Sequence, residues 1–473
     1  MRRKTCYAIS HIQKEGITLA RKDVDMTQGR ILTHYLKFAA PLALGLLFQQ
    51  LYNTVDTIVV GRFVGEEALA AVGSTGSIIN MLIGIFNGLS MGAGVVLSQA
   101  YGAHDEGRIH RVVQTTIATT LIMCVLATGI GLRITVPALH MMNTDPDVFG
   151  QARTYLLTYF AGVSGLLVYN MGSAILRAVG DSKRPLYFLV FSAMVNTVLD
   201  LVFVLYLKLG VFGVALATII AQCLSAALVL WVLTKEQRAY GIRWKTLGID
   251  RAELVQILKV GLPSSVQQGL TSFSNVFVMG YVNGFGKYAT AGWSAYSKLD
   301  QYLMVPVIAI AQASTTFVGQ NWGARQPKRA RKGVTIGLLM SLGCMAVCSM
   351  AMLAFARPLL MLINTEEQVL YYGTYFIRII TPFYLLICFN QLFGGALRGI
   401  GCATTPTVIM LGSFVAFRQI YLFVTKLLFG QNLLAVSLAF PAGWLMCSLL
   451  LTIFYRRSRL FTGQMASGAA EGA

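Results

Sequence analysis

Long apolar runs are the feature that most constrains this chain. Nearly every run has roughly 20 residues or more, enough for a helix to cross about 30 Å of hydrocarbon. Strands of a membrane barrel would be shorter and would alternate between apolar and polar residues. Backbone groups inside a bilayer must be hydrogen-bonded within their own segment, which favours helices. With 56% hydrophobic and 12% charged residues, the sequence predicts an all-α polytopic membrane protein.

Twelve membrane spans are predicted, and the loop charges give their orientation. The spans cover residues 34–60, 72–97, 112–136, 150–173, 186–207, 211–234, 254–282, 290–319, 333–354, 368–394, 404–428 and 433–455. The loops on one side, together with the two termini, carry 28 Lys and Arg residues, against 6 in the opposite loops. Basic residues accumulate in cytoplasmic loops, so both termini are predicted to be cytoplasmic. The net charge of +19 therefore belongs to short loops and does not indicate a nucleic-acid partner.

The two terminal segments are polar. Residues 1–30 have no apolar core, which excludes a signal peptide and predicts a disordered cytoplasmic tail. Met26 directly precedes the first amphipathic turn and is an alternative start of translation. Residues 458–473 are predicted to form a cytoplasmic C-terminal tail.

The chain repeats itself at an offset near 221 residues. The matched segments are Ser98–Ala103 with Gly319–Ala324, Leu176–Gly180 with Leu397–Gly401, and Pro41 and Asn53 with Pro263 and Asn275. Six spans in each half give both halves the same topology, as in transporters built from parallel repeats. We therefore predict two six-helix lobes related by a parallel pseudo-two-fold axis. The predicted units are an N-lobe over residues 31–234, a cytoplasmic loop over 235–253 and a C-lobe over 254–457.

Asp56 lies near the end of the first apolar run. A carboxylate in hydrocarbon is costly unless it faces a cavity or a partner, so a functional role is favoured. Asp56 precedes Arg62 by six residues, which places it roughly 9 Å from the outer end of its helix. Asp200 and Thr218 are each eight residues from an outer end, or about 12 Å. The three side chains are therefore expected at one depth.

Helix periodicity adds further polar residues to this site. Tyr52 and Asn53 share a stripe with Asp56, and Asn196 lies one turn before Asp200. Two carboxylates in a poorly hydrated place repel each other, so the pair would share a proton or hold Na⁺ with hard oxygen ligands. The candidate site for a coupling cation is Asp56, Asn196, Asp200 and Thr218, with Tyr52 and Asn53 as supporting polar residues. The alternative is a structural polar network that ties the helices together.

The second half has no copy of this site. Val278 and Tyr421 occupy the positions that match Asp56 and Asp200. Instead its predicted spans contain the charged residues Lys298, Asp300, Arg378 and Arg418. A structural ion pair between Asp300 and one of these bases is favoured over contact with a substrate.

These features resemble the multidrug and toxic compound extrusion (MATE) family of secondary transporters. The resemblance covers about residues 27–457. The sequence elements that carry it are Pro41, Tyr52–Asp56, Gln99–Ala103, Gly319–Ala324 and the Leu-Arg-x-x-Gly segments that begin at Leu176 and Leu397.

The family resemblance implies an antiporter that exports amphipathic, often cationic, compounds in exchange for Na⁺ or H⁺. It implies two lobes around a central cavity, with the coupling cation at Asp56, Asn196, Asp200 and Thr218. Members of the NorM type carry acids in the seventh and tenth spans, where this chain has Gln267, Gln268 and Gln391. This difference favours the DinF type and puts a second cation site in doubt.

Two other functions stay open at this stage. A flippase for lipid-linked sugars would share the broader architecture, and the basic residues of the second half would suit a pyrophosphate headgroup. A membrane enzyme is disfavoured because there is no HExxH or DDxxD segment and no histidine at a span centre. We expect no cofactor beyond Na⁺ or H⁺ as coupling ion, and a monomer in the inner membrane of a bacterium. The partners expected are small amphipathic substrates and the lipid bilayer.

Overall fold

The computed structural model describes residues 24–142 and 144–462, apart from the side chain of Ser77. The described part is almost entirely helical and contains no strand. The first half contains α1 Ile31–Val59, α2 Glu66–Gly102, α3 Glu106–Met141, α4 Pro146–Ala161, α5 Val163–Ala178, α6 Lys183–Leu201 and α7 Gly210–Lys235. The second contains α8 Arg251–Asn283, α9 Lys287–Gly323, α10 Pro327–Ala354, α11 Ala356–Met361, α12 Glu367–Ile380, α13 Tyr384–Gly399, α14 Thr404–Leu411, α15 Arg418–Phe429, α16 Leu433–Arg457 and α17 Arg459–Thr462.

These helices coincide with the predicted spans. Within the described ranges, 10 helices are long and apolar enough to cross a membrane, or 11 when α4 and α5, bent by 46°, count as one span. The remaining predicted span, 254–282, lies in α8, which has 33 residues but carries several Ser and Gln side chains. The all-helical, polytopic class predicted from the sequence is confirmed.

Local sequence signals explain where several helices begin. The side chain of Asp105 accepts a hydrogen bond from the backbone N–H of Arg108, and Asp250 does the same for Ala252 and Glu253. Such N-terminal caps satisfy backbone donors that have no partner inside the helix. The turn before α2 requires a positive φ, which Gly65 supplies at 124°.

Each half has its own apolar core. One large cluster of buried residues draws only on the chain from Val59 to Ala226, and another only on the chain from Val278 to Ala439. The boundary between them coincides with the loop that the sequence places between the lobes. The exact lobe limits remain predictions.

The two halves meet where glycines of α2 lie against α8. A Cβ atom on Gly88 would come within 2.3 Å of the backbone nitrogen of Ser265. One on Gly92 would lie 2.4 Å from the carbonyl oxygen of Ile257. Neither side chain could be accommodated without moving backbone, so these glycines permit the close approach of α2 and α8, as small residues do in membrane helix pairs.

The repeated segments make reciprocal contacts between the halves. The Gln99 side chain donates a hydrogen bond to the carbonyl oxygen of Gly399 at 2.8 Å. The Gln320 side chain donates to the carbonyl oxygen of Ala178, also at 2.8 Å. Gln99 and Gln320 match each other at the repeat offset, and so do Ala178 and Gly399. We call these two bonds the interlobe latch.

Two glycines bring the backbones together beside the latch. A Cβ atom on Gly102 would lie 1.9 Å from the carbonyl oxygen of Gln320, and one on Gly323 would lie 1.9 Å from that of Gln99. These positions also match each other in the repeat. The ends of α2 and α9 are therefore in direct backbone contact on the side to which the loop charges assign the cytoplasm.

Part of the predicted N-terminal tail is packed. The backbone N–H of Met26 donates to the side chain of Gln320 at 3.0 Å, and the side chains of Asn321 and Arg329 donate to the carbonyl oxygen of Met26. The expectation of disorder is therefore wrong for residues 24–30, because the buried side chains of Gln320 and Asn321 and the partly buried Arg329 bind their backbone. Residues 1–23 and 463–473 of the predicted tails lie outside the described part of the chain.

Candidate functional site

A cavity of about 690 Å³ lies within the first half and is closed on one side by α8 and α9. Along α1 its lining runs from Phe38 to Val60, and along α2 from Val72 to Ser98. Most of its polar lining is neutral, and comprises Gln49, Tyr52, Asn53, Asn80, Asn87, Tyr155, Tyr159, Tyr169, Asn170, Gln222, Gln268 and Gln312 together with Ser and Thr hydroxyls. The two charged residues of the lining are Asp56 and Arg177.

Asp56 lines this cavity, and Asp200 lies next to Asp56 without lining the cavity itself. The packing of α1 against α6 brings their carboxyl groups within hydrogen-bonding range of each other. Asp200 is fully buried, and neither of its oxygens accepts a hydrogen bond from an N–H or O–H group of the described residues. Two carboxylates cannot bond to each other without a proton or a cation between them. The pair is therefore arranged to take up a positive charge.

Neutral oxygen atoms surround this pair. Tyr52 lies beside both Asp56 and Thr218, which joins α1 to α7 at the site. Asn196, one turn before Asp200, is fully buried, and neither its amide oxygen nor its amide nitrogen has a protein partner in the described chain. Asp56, Asp200, Tyr52 and Thr218 thus lie together, and Asn196 is one turn from Asp200 on α6; their role in cation binding stays a prediction. Asn53 lines the cavity and is exposed.

A π-helical turn begins within one helical turn after each acid. The turn Val60–Val64 continues α1 after Asp56, and Val202–Tyr206 continues α6 after Asp200. A π-helical turn carries an extra residue, which rotates the helix surface that follows it, and such turns are frequent at functional sites. Neither turn is evident from the apolar pattern.

The donor set fits a hard cation or a proton. Carboxylate, amide and hydroxyl oxygens are the ligands that Na⁺ and similar cations accept, and the buried oxygens of Asn196 and Asp200 have no competing donor among the described residues. No group of three or more His, Cys, Asp or Glu side chains suited to a metal ion occurs in residues 24–142 and 144–462. A transition-metal site therefore has no support in this part of the chain.

In the second half, Asp300 is bound by a tyrosine hydroxyl. The hydroxyl of Tyr384 donates a hydrogen bond to its carboxylate, and the hydroxyl groups of Tyr296 and Tyr384 are 2.7 Å apart. No base lies within ion-pair distance of Asp300 in the described residues. The predicted ion pair of Asp300 with a base is therefore wrong, because the side chains beside Asp300 in the helix bundle are phenols.

The three bases of that prediction are separated from Asp300. Arg418 is buried and donates hydrogen bonds to the hydroxyl of Ser274 at 2.7 Å and the amide oxygen of Asn275 at 2.8 Å. Its guanidinium also stacks on the ring of Phe440, 4.9 Å from the centroid. Lys298 and Arg378 are exposed. None of the three lines the cavity.

Three side chains of the site were not found from the sequence. Tyr155 lies near both Asp56 and Asp200, and Tyr159 lies beside Gln222 in the cavity wall. Their helix, α4, bends at Gly162, so counting residues from the helix ends gives no reliable depth. Arg177 was counted as a loop residue, although its side chain lines the cavity.

The comparisons with known proteins agree with this architecture. The sequence matches the MatE family model twice, over residues 41–202 and 263–424, separated by the same 222 residues as Pro41 and Pro263. The chain is 29% identical over 428 residues to "Probable multidrug resistance protein YoeA" of Bacillus subtilis, covering 89% of this chain and 92% of that protein. It is 23% identical to the "FAD transporter" of Shewanella oneidensis, covering 81% of this chain and 85% of that protein. It is 20% identical to "Multidrug export protein MepA" of Staphylococcus aureus, with 90% and 94% covered.

Solved structures share the fold. A transporter of the MOP superfamily from Pyrococcus furiosus superposes with a TM-score of 0.89 at 22% identity, covering 94% of this chain and 99% of that one. A multidrug resistance MATE family transporter in an outward-facing conformation gives a TM-score of 0.88 over the same shares. With a family match in each half and this fold, the chain belongs to the MatE family.

Proposed function

We propose that this protein is a secondary active transporter that exports multiple small amphipathic compounds in exchange for Na⁺ or H⁺. The observation that carries the proposal is that Asp56, which lines a cavity large enough for a drug-sized molecule, is paired with the buried Asp200. Neutralising the pair with a cation removes the repulsion between two buried carboxylates. The relative free energies of the conformations then depend on whether the cation is bound. Cation binding is thereby coupled to the conformational change.

Substrate export is supported by the relatives. Proteins similar to this chain along most of their length are named for multidrug resistance and multidrug export. The cavity suits varied amphipathic substrates because it combines apolar side chains with many neutral amide and phenol groups. We assign no single natural substrate.

Alternating access is supported by the interlobe latch. The bonds from Gln99 to Gly399 and from Gln320 to Ala178 close the ends of α2 and α9 on the inner side. Opening the cavity to the cytoplasm requires both bonds to break, so this arrangement corresponds to an inward-closed state. We further propose a monomer in the bacterial inner membrane with both termini cytoplasmic, the N-lobe spanning residues 31–234 and the C-lobe 254–457.

The flippase alternative loses its main support. It rested on bases in the second half that would hold a pyrophosphate headgroup. Arg418 is instead bound by Ser274, Asn275 and Phe440, and neither Arg378 nor Lys298 faces the cavity. The one base of the described residues that lines the cavity, Arg177, lies in the first half.

Dye transport in proteoliposomes under separately imposed Na⁺ and H⁺ gradients tests the proposal. Asp56→Asn and Asp200→Asn should abolish gradient-driven transport, since the amide preserves shape but cannot exchange a positive charge. Asn196→Ala and Thr218→Ala should weaken coupling less, because each removes one neutral ligand. Asp147→Asn, at an exposed acid on α4, is the matched control and should transport normally.

The same measurements identify the coupling ion, because the gradient that drives wild-type transport is the one that both acid variants should fail to use. If both acid variants transport the dye at the rate of the wild-type protein, the cluster is a structural polar network.

A further inference from the structure

Arg177 is a basic residue without an acidic partner in the cavity. It lies in the last turn of α5 and lines the inner end of the cavity together with Ser98 and Ser182. No acid of the described residues is within ion-pair distance of its guanidinium. Tyr169, which also lines the cavity, is a neutral neighbour, and its hydroxyl donates to the carbonyl oxygen of Pro185.

Other arginines near this position are engaged differently. Arg184, seven residues later, pairs with Asp181 at 3.0 Å and with Glu236 at 3.6 Å. Arg398 holds the same place as Arg177 in the second repeat, but it is buried, donates to the side chain of Gln267 at 3.2 Å and does not line the cavity. A structural role within the Leu-Arg-x-x-Gly segment therefore does not require an arginine that lines the cavity.

Arg177 and Asp56 occupy opposite ends of one cavity. Asp56 is close to the outer end of α1, and Arg177 is at the inner end of α5. The lining of α1 from Phe38 to Val60 corresponds to about 33 Å at 1.5 Å per residue. Between the two charges the polar lining groups are neutral amides, phenols and hydroxyls.

We propose that the cavity binds amphipathic molecules that carry a carboxylate, and that Arg177 holds this group at the inner end. The planar guanidinium can donate two parallel hydrogen bonds to a carboxylate, a geometry that an ammonium does not offer. An aromatic or cationic part of the same molecule then extends past Tyr159 and Tyr155 toward Asp56. This inference rests on the proposed function and extends its substrates from cationic amphiphiles to zwitterionic and anionic ones.

The test compares two dyes that differ in one group. A zwitterionic xanthene dye with a free carboxylate and its cationic methyl ester are titrated against the purified protein in detergent, and binding is followed by fluorescence anisotropy. Arg177→Gln should weaken binding of the carboxylate dye about tenfold, as expected for losing hydrogen bonds between charged groups, and should change the ester less than twofold. Arg177→Lys should give an intermediate loss. Lys183→Gln, an exposed base six residues away, should change neither dye.

A second measurement needs no variant. Benzoate should displace the carboxylate dye from the wild-type protein and leave the ester bound, which keeps the proposal testable if Arg177→Gln does not fold. Equal loss of both dyes in a folded Arg177→Gln protein, or no loss of either, would overturn the proposal. Because no ion gradient is present, a failure of cation-coupled transport would leave these binding results unchanged and is distinguished from a failure of the Arg177 site.

Discussion

The interlobe latch makes a quantitative prediction about conformation. Gln99→Leu keeps the size of the side chain but removes its hydrogen bond to the carbonyl oxygen of Gly399. Gln320→Leu removes the bond to Ala178 and also the one that Gln320 accepts from the backbone of Met26. Both bonds to the opposite half exist only while the inner ends of α2 and α9 are together. Their loss should therefore favour opening toward the cytoplasm.

The expected size of this shift follows from the number of bonds lost. A hydrogen bond of this kind contributes about 0.5–1.5 kcal/mol net, so Gln99→Leu should raise the inward-open to inward-closed ratio roughly 2- to 12-fold. The double variant Gln99→Leu/Gln320→Leu loses both latch bonds, and two independent contributions would add to about 1–3 kcal/mol. Gln320→Leu alone should exceed Gln99→Leu, because it also releases the packed segment around Met26.

Cysteine labelling measures the shift. Thr316 lies in α9 one turn before Gln320 and lines the cavity, so Thr316→Cys in a cysteine-free background reports access from the inner side. The rate of labelling by an impermeant maleimide in inside-out vesicles should rise by the factors above. Gln419→Leu, which loses two hydrogen bonds to Ser274 within the second half, is the control and should not change that rate. An equal increase of the labelling rate in the control, or no increase in Gln99→Leu, would show that the interlobe latch does not keep the inner side closed.

Two further predictions concern the second half and the topology. Tyr384→Phe removes the hydroxyl that bonds both Asp300 and Tyr296, and should lower the free energy of unfolding by about 1–3 kcal/mol. Asp300→Asn keeps the acceptor and should cost less in a melting curve; the opposite order would indicate that the charge of Asp300 is essential. A cysteine at Lys426, in a helix end assigned to the outside by loop charge, should react with impermeant reagents added outside intact cells. Labelling of this cysteine only from the inside would contradict the orientation.

Residue counting located the acidic pair because its geometry is local. Asp56 and Asp200 are close to helix ends, and the rise per residue converts distance from an end into depth. The facing of each helix followed from its polar stripe, which placed Asn196 with Asp200 and Tyr52 with Asp56. This method cannot place Tyr155, because α4 and α5 bend at Gly162 and the depth of α4 is not that of a straight span.

Residue counting could not predict which side chains bind one another in the second half. Charge alone favoured an ion pair for Asp300, whereas its carboxylate accepts a hydrogen bond from Tyr384 of α13, whose hydroxyl also contacts that of Tyr296 on α9. Arg418 likewise bonds to the neutral side chains of Ser274 and Asn275. Opposite charges on separate helices identify possible pairs, but the rotation and tilt of each helix decide which side chains come within about 3 Å.

The sequence by itself determined the helical class, the repeat and the residue types of the proposed cation site. Long apolar runs can satisfy their backbone in a bilayer only as helices, and repeated segments at a constant offset impose the same topology on both halves. Tertiary structure alone decided that Gln99 and Gln320 bond reciprocally between the halves and that Arg177 lines the cavity. These features depend on how whole helices pack against one another. Packing is set by many contacts between distant parts of the chain, which no local pattern encodes.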